Sequence, residues 1–203
     1  MIQIASGCLR GLKLKSPKDS NTRPTSERTR QALFNVLRNY AIEIEGSSQP
    51  ILENALVIDL FAGTGAFGLE CISNGASEVL FVEASPSCSM VLSENAKTFF
   101  KALSNQGIED RHFHVYTAKM EKLYLKLPKA RVIFCDPPYR KNFYELLMEC
   151  ETKHSALETK GVLLFESASD EVLEERHANA AGLRIFDRKI YGDSAVTFFV
   201  KLA

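Results

Sequence analysis

The chain has 203 residues, 45% of them hydrophobic and 25% charged, enough to bury one sizeable core with at most a small appendage. No apolar run reaches membrane-spanning length and the opening MIQIASGC lacks the basic and apolar regions of a secretory leader, so a soluble cytoplasmic chain is expected. Five cysteines, odd in number and widely spaced among apolar neighbours, suit reduced core thiols, and the four histidines make no ligand-spaced cluster with them, which argues against a metal site.

A net charge of zero hides a division. Residues 1 to 40 carry eight Lys/Arg against two acidic groups, a net of +6, which leaves −6 on the remainder. Such asymmetry suits either an arm that meets a polyanion or a merely solvated basic face. Within that arm, IQIASGCLRGLKLKSP has short alternating runs around Gly7 and Gly11 and reads as a hairpin. Pro24-Thr25 then opens a helix whose Leu33, Val36, Leu37 and Tyr40 form an apolar stripe, with Arg28, Arg30 and Arg38 left to point outward. The polar stretch EIEGSSQPILENA closes the appendage, which divides the chain into an extension at 1–45 and a main domain at 46–203.

From residue 55 strands and helices alternate. ALVIDLF, EVLFVEA, HFHVYTA, ARVIFC and GVLLFES are nearly continuous apolar runs, the pattern of strands buried on both faces of a parallel sheet. Helical stretches such as SPSCSMVLSENAKTFFKAL and NFYELLMECETKH lie between them. The tail, LRIFDRKIYGDSAVTFFVKLA, is two strand-like runs about a Gly-Asp turn and closes the sheet with an antiparallel hairpin. The expected fold is α/β: a doubly wound, seven-stranded, mostly parallel sheet, with ligands outside the carboxyl ends of its strands.

Chemistry concentrates at two strand ends. DLFAGTGAFG places Gly63, Gly65 and Gly68 as G-x-G-x-x-G, and Glu83 follows about twenty residues on at the end of the next strand. That pattern alone admits NAD. Asp59 shifts the balance, because a carboxylate there would crowd a pyrophosphate but suit the ammonium and sulfonium of S-adenosylmethionine. In FCDPPYRKNF the chain leaves its strand at Asp136 and stiffens through Pro137 and Pro138 before presenting Tyr139. In common doubly wound orders this fourth strand lies beside the first, which sets DPPY next to the glycine loop. An acceptor carboxylate, proline-held carbonyls and a flat ring make a pocket for a planar exocyclic amine, with stacking worth about 1–3 kcal/mol. DPPY by itself leaves several amines open, in DNA as well as RNA, and a nucleic-acid-binding module with a non-catalytic cleft is a further reading. Cys135 reads as a core thiol, and Glu70, Glu166 and Asp193 have no spacing that marks them as bases.

DLFAGTGAFGLE, Glu83 and DPPY together resemble the class I S-adenosylmethionine-dependent amino-methyltransferases. The N-terminal IASGCLRGLKLKSP and TRPTSERTRQALFNVL and the closing KIYGDSAVTFF are similar to the RsmD-like family, bacterial 16S ribosomal RNA guanine-N2 methyltransferases, over nearly the whole chain. The resemblance implies a Rossmann-like core using S-adenosylmethionine on one guanine of small-subunit RNA in an assembling particle. It implies Asp59, Gly63 and Gly65, with Phe61 and Thr64 of the same loop, along the methionine part of the cofactor. Glu83 would hold the ribose, and Thr117-Ala118 the adenine, although many relatives carry Asp or Asn where Thr117 stands. Asp136, Pro137, Pro138 and Tyr139 would form the catalytic pocket. Arg10, Lys13, Arg23, Thr25, Arg28 and Arg30 would meet RNA, with Arg140 beside the extruded base.

Overall fold

The computed structural model describes residues 2–16, 27–43 and 49–202. Two short strands, β1 (Ile2–Gln3) and β2 (Lys13–Leu14), pair antiparallel, and helix α1 (Glu27–Glu43) follows. The main domain then runs β3 (Leu56–Leu60), α2 (Ala66–Ser73), β4 (Glu78–Glu83), α3 (Pro86–Ser104), β5 (His112–Thr117), α4 (Met120–Leu123) and β6 (Ala130–Cys135). It ends with α5 (Phe143–His154), β7 (Leu157–Ala168), α6 (Glu175–Ala180), β8 (Leu183–Tyr191) and β9 (Ser194–Lys201).

The order β5-β4-β3-β6-β7-β9-β8 makes one seven-stranded sheet. Its first five strands are parallel and β9 enters antiparallel between β7 and β8. This is the doubly wound sheet with a closing hairpin that the sequence predicts, and β6 does lie beside β3. Gly192, at φ 62°, turns the chain from β8 into β9, a conformation in which an L side chain is strained.

Alternation along each strand feeds two cores. Val57, Phe81, Phe134, Leu164 and Phe198 face one layer with α1, α2, α3 and the hairpin, while Ile58, Leu60, Ile133, Leu163 and Phe199 face a second with α5 and α6. Each such side chain contributes about 1.5–3 kcal/mol when fully buried. Strand β5 departs from the expectation of burial on both faces. It is an edge strand: Phe113 and Val115 pack on the first core, but His112, His114 and Tyr116 stand exposed on the other face.

The extension shares the first core. Ile4, Leu9, Leu14, Leu33, Phe34, Leu37 and Tyr40 are buried in it, and Val36 packs against it. Phe67 of α2 stacks on Phe34 of α1 with centroids 5.4 Å apart and on Phe134 of β6 at 4.0 Å, which links extension, helix and sheet through three rings. Polar bonds reinforce the junction. Cys8 N–H donates to the Ser73 carbonyl (2.8 Å), and Ser6 Oγ donates to Glu70 Oε1 (2.8 Å). Arg30, read from the sequence as outward-facing, is 3% exposed; its Nε donates to Glu70 Oε2 at 3.1 Å and an Nη to the Gln3 carbonyl at 2.7 Å. Its position one turn before Leu33, Phe34 and Leu37 puts it on the packed side of α1 rather than among the leftover positions.

Candidate active site

The parallel strands bring their carboxyl ends to one end of the sheet. Beyond Leu60, Phe61 (φ 60°) and Gly65 (φ 78°) curl the chain into the start of α2, and Gly65 N–H closes the turn on the Ala62 carbonyl at 2.7 Å. Gly68 allows α2 to lie on β4, since a Cβ there would stand 2.4 Å from the Phe81 ring and 2.7 Å from Val79. Asp59 ends beneath this loop, 1% exposed, its Oδ2 accepting from Gly68 N–H at 3.0 Å. Burial raises its carboxyl well above the usual range, Gly68 N–H opposes that, and Glu83 adds to it. Asp59 thus braces the first turn of α2 from below.

Glu83 occupies the tip of β4 and ties two loops. Its Oε2 accepts from Gly63 N–H at 2.8 Å and its Oε1 from Ser85 N–H at 2.7 Å. Ser85 in turn caps α3, accepting from Cys88 N–H, with Pro86 at the first helical position where no N–H is needed. At the tip of β5, Thr117 Oγ1 is bonded to Ser89 Oγ at 2.6 Å and Ala118 N–H donates to the Glu83 carbonyl at 3.0 Å. The Thr117 hydroxyl is thus held by α3. Asn95 of α3, 2% exposed, uses its amide fully: Oδ1 accepts from Lys15 N–H (2.8 Å), and Nδ2 donates to the carbonyls of Lys15 and Thr64 (3.0 Å each).

Asp136 N–H reaches the Leu60 carbonyl at 3.4 Å, so DPPY starts directly beside the first residues of the glycine loop. Pro137 is buried, Pro138 exposed and Tyr139 half-buried. The Tyr139 hydroxyl donates to Glu166 Oε1 at 2.9 Å, and burial, Glu166 and Asp136 push its phenol far above the ordinary value. Cys135 is fully buried, its thiol raised by burial and by Asp136 and Asp59, as a core thiol should be.

The basic residues divide. Arg10 and Lys13 are exposed on the hairpin, and Lys15 beside them pairs with Glu94 at 2.8 Å. Arg140, beside the pocket, reaches both Asp170 oxygens at 2.8 and 3.0 Å, an exposed pair that salt or a phosphate can displace. Arg30 is taken by Glu70. Arg23 and Thr25, and the side chain of Arg28, lie outside the described residues. Among the described residues no three potential metal ligands gather.

Two features of the site escape spacing rules. Glu166 is a lone carboxylate inside the apolar run GVLLFES, and Asn95 is a lone amide on the buried stripe of Leu92, Ala96 and Phe99. A polar residue where the period calls for an apolar one is the signal that could have found both.

Strand ends carrying Glu83 and Asp136 make an acidic rim, which suits a cationic cofactor and disfavours a dinucleotide pyrophosphate. Sheet order, glycine loop and closing hairpin define the Rossmann-like methyltransferase class. Within it, the chain belongs to the family described as Conserved hypothetical protein 95, whose model matches residues 2–200. It is 28% identical to "Ribosomal RNA small subunit methyltransferase D" of Escherichia coli strain K12, over 95% of this chain and 93% of that protein. The Haemophilus influenzae protein of the same name is 27% identical, over 85% and 81% of the two chains. The solved structure of a hypothetical protein from Thermus thermophilus aligns over 100% of both chains, with a TM-score of 0.72 and 25% identity. One further structure, described as a methyltransferase complexed with SAH, aligns with 84% of this chain and 49% of its own at a TM-score of 0.58 and 13% identity, a likeness of fold.

Proposed function

We propose that this protein transfers a methyl group from S-adenosylmethionine to the exocyclic N2 amine of a guanine in small-subunit (16S) ribosomal RNA. The observation that carries the reading is the seating of DPPY beside the glycine loop through the Asp136–Leu60 bond, so that an amine acceptor stands next to a donor cleft. Family membership and the names of the Escherichia coli and Haemophilus influenzae relatives support the ribosomal substrate.

S-adenosylmethionine supplies an activated methyl on a good leaving group. The chain positions both partners. Glu83, held by two N–H donors, offers its remaining lone pairs to ribose hydroxyls; the main chain at Thr117-Ala118 borders the adenine; and Phe61, Gly63, Thr64 and Gly65 line the methionine portion. Asp136 and the carbonyl next to Pro137 accept the two hydrogens of the amine, so that its lone pair turns from the ring toward the methyl. Positioning of this kind is worth up to about 7–11 kcal/mol. Residues 1–45 serve as the RNA-facing extension of the 46–203 methyltransferase domain, with Arg10, Lys13, Arg23, Thr25 and Arg28 toward phosphates and Arg140 beside the flipped base. A ribosomal substrate places the protein in the cytoplasm. Among the described residues no helix is long and apolar enough to cross a membrane.

Purified protein should transfer tritiated methyl to undermethylated small-subunit particles, with N2-methylguanosine recovered on nuclease digestion. Asp136→Ala should lose transfer by at least about a hundredfold while still binding the cofactor. Labelling of a bare DNA duplex, or calorimetric binding of NAD but not S-adenosylmethionine, would favour the other readings and sink this one.

A further inference from the structure

Strand β7 runs Val162, Leu163, Leu164 and Phe165 through the core and then places Glu166, 4% exposed, at its carboxyl end. Isolating a carboxylate there is costly unless its oxygens are used. The register of β6 and β7 pairs Phe134 with Leu164 and Cys135, the last residue of β6, with Phe165, and Asp136 and Glu166 each follow one residue on. Alternation puts Glu166 on the face that carries Leu164, the face of α1, α2 and the hairpin. From Asp136 the chain passes through two prolines and returns its fourth residue over β7, where the Tyr139 hydroxyl donates to Glu166 Oε1 at 2.9 Å. Burial first, and then Glu166 and Asp136 close by, raise the phenol above its ordinary value and favour its protonated, donating form.

We propose that Glu166 is a positioning residue of the methyl-acceptor pocket, which fixes the plane of the Tyr139 ring, and so of the stacked target base, by accepting the Tyr139 hydroxyl. This rests on the reading that DPPY receives the amine. A ring free to swing about its side-chain torsions would still stack a base, but at a spread of orientations. The amine lone pair must point at a methyl about 3–3.5 Å away, and misplacement by about 1 Å can cost on the order of a hundredfold in rate. Glu166 acts through Tyr139 and touches neither reacting atom.

A double-mutant cycle tests this with full-length protein, S-adenosylmethionine and undermethylated small-subunit particles. Glu166→Ala should lower kcat about ten- to a hundredfold, and cofactor affinity should stay within about twofold. Glu166→Gln, which keeps an acceptor oxygen, should recover most of the rate. Tyr139→Phe should lose about as much as Glu166→Ala, and the double variant no more than either. Multiplying losses, or a Gln variant as poor as Ala, would overturn the proposal. Should Glu166→Ala not fold, the same comparison is made between Tyr139→Phe, Glu166→Gln and their combination, in which the Gln substitution should cost nothing once the hydroxyl is gone. Wild-type protein inactive on the particles would instead overturn the function itself, and the role of Glu166 with it. An active wild type with an additive cycle overturns the role alone.

Discussion

Asp59 and Asn95 show how single side chains set the cleft. Burial raises the Asp59 carboxyl well above the ordinary range near 4, so the folded protein keeps a proton there that the unfolded chain has released. Its contribution to stability is complete below the ordinary value and is lost as pH rises through the raised one. Urea midpoints measured from pH 4 to pH 8 should therefore fall less steeply with pH for Asp59→Asn than for the wild type. Parallel profiles would show that the carboxyl titrates alike in both states. For Asn95, replacement by Ala frees three part-buried backbone groups at once, on Lys15 and Thr64. The expected loss is about 1–3 kcal/mol in denaturant melts, together with weaker S-adenosylmethionine binding because Thr64 is no longer held. A stability loss with unchanged cofactor affinity would separate Thr64 from the cleft. Neither environment could be read from spacing: sequence located Asp59 at the right strand end, but which side of the loop it faces depends on the helix it braces.

Arg30 and Glu70 join two elements, α1 and α2, inside the first core at 3% and 0% exposure. Removing one partner of such a pair leaves a buried charge and typically costs about 3–5 kcal/mol, so Arg30→Ala should lower the unfolding midpoint steeply, whereas Arg30→Met with Glu70→Gln should restore much of it. An Arg30→Ala variant of wild-type stability that merely bound RNA less would return Arg30 to the substrate face. The elements themselves were legible. The glycine loop, the order of β3 and β6 and the C-terminal hairpin follow from strand periodicity and turn chemistry. Periodicity could not say that β5 stands at the edge, because an apolar run looks the same before its neighbours are known, nor that an arginine one turn ahead of the α1 stripe would find a carboxylate forty residues away.

At the scale of the whole molecule, the +6 carried by residues 1 to 40 sits on an extension whose hydrophobic side is built into the sheet domain. Among its described basic residues Arg10, Lys13, Lys15 and Arg38 are exposed, whereas Arg30 is buried in the core. If Arg10 and Lys13 each neutralise a phosphate, log affinity for single-stranded RNA should fall linearly with log salt, and Arg10→Ala should reduce that slope by about one without moving the melting temperature. An unchanged slope would place RNA elsewhere. The charge asymmetry of the sequence left a polyanion-binding arm and a solvated basic face equally open. It could not show how intimately the two parts pack, since that depends on three phenylalanines from distant segments meeting in a stack.

Strand β9 has a consequence for timing. It is the last strand of the chain, yet it pairs along β7 from Val162 to Ala168 and so flanks Glu166 on the side away from β6. During synthesis the amino-terminal segments fold first. The segment that holds β3, β4 and the glycine loop can therefore form before the wall behind Tyr139, which waits for β9 to be made.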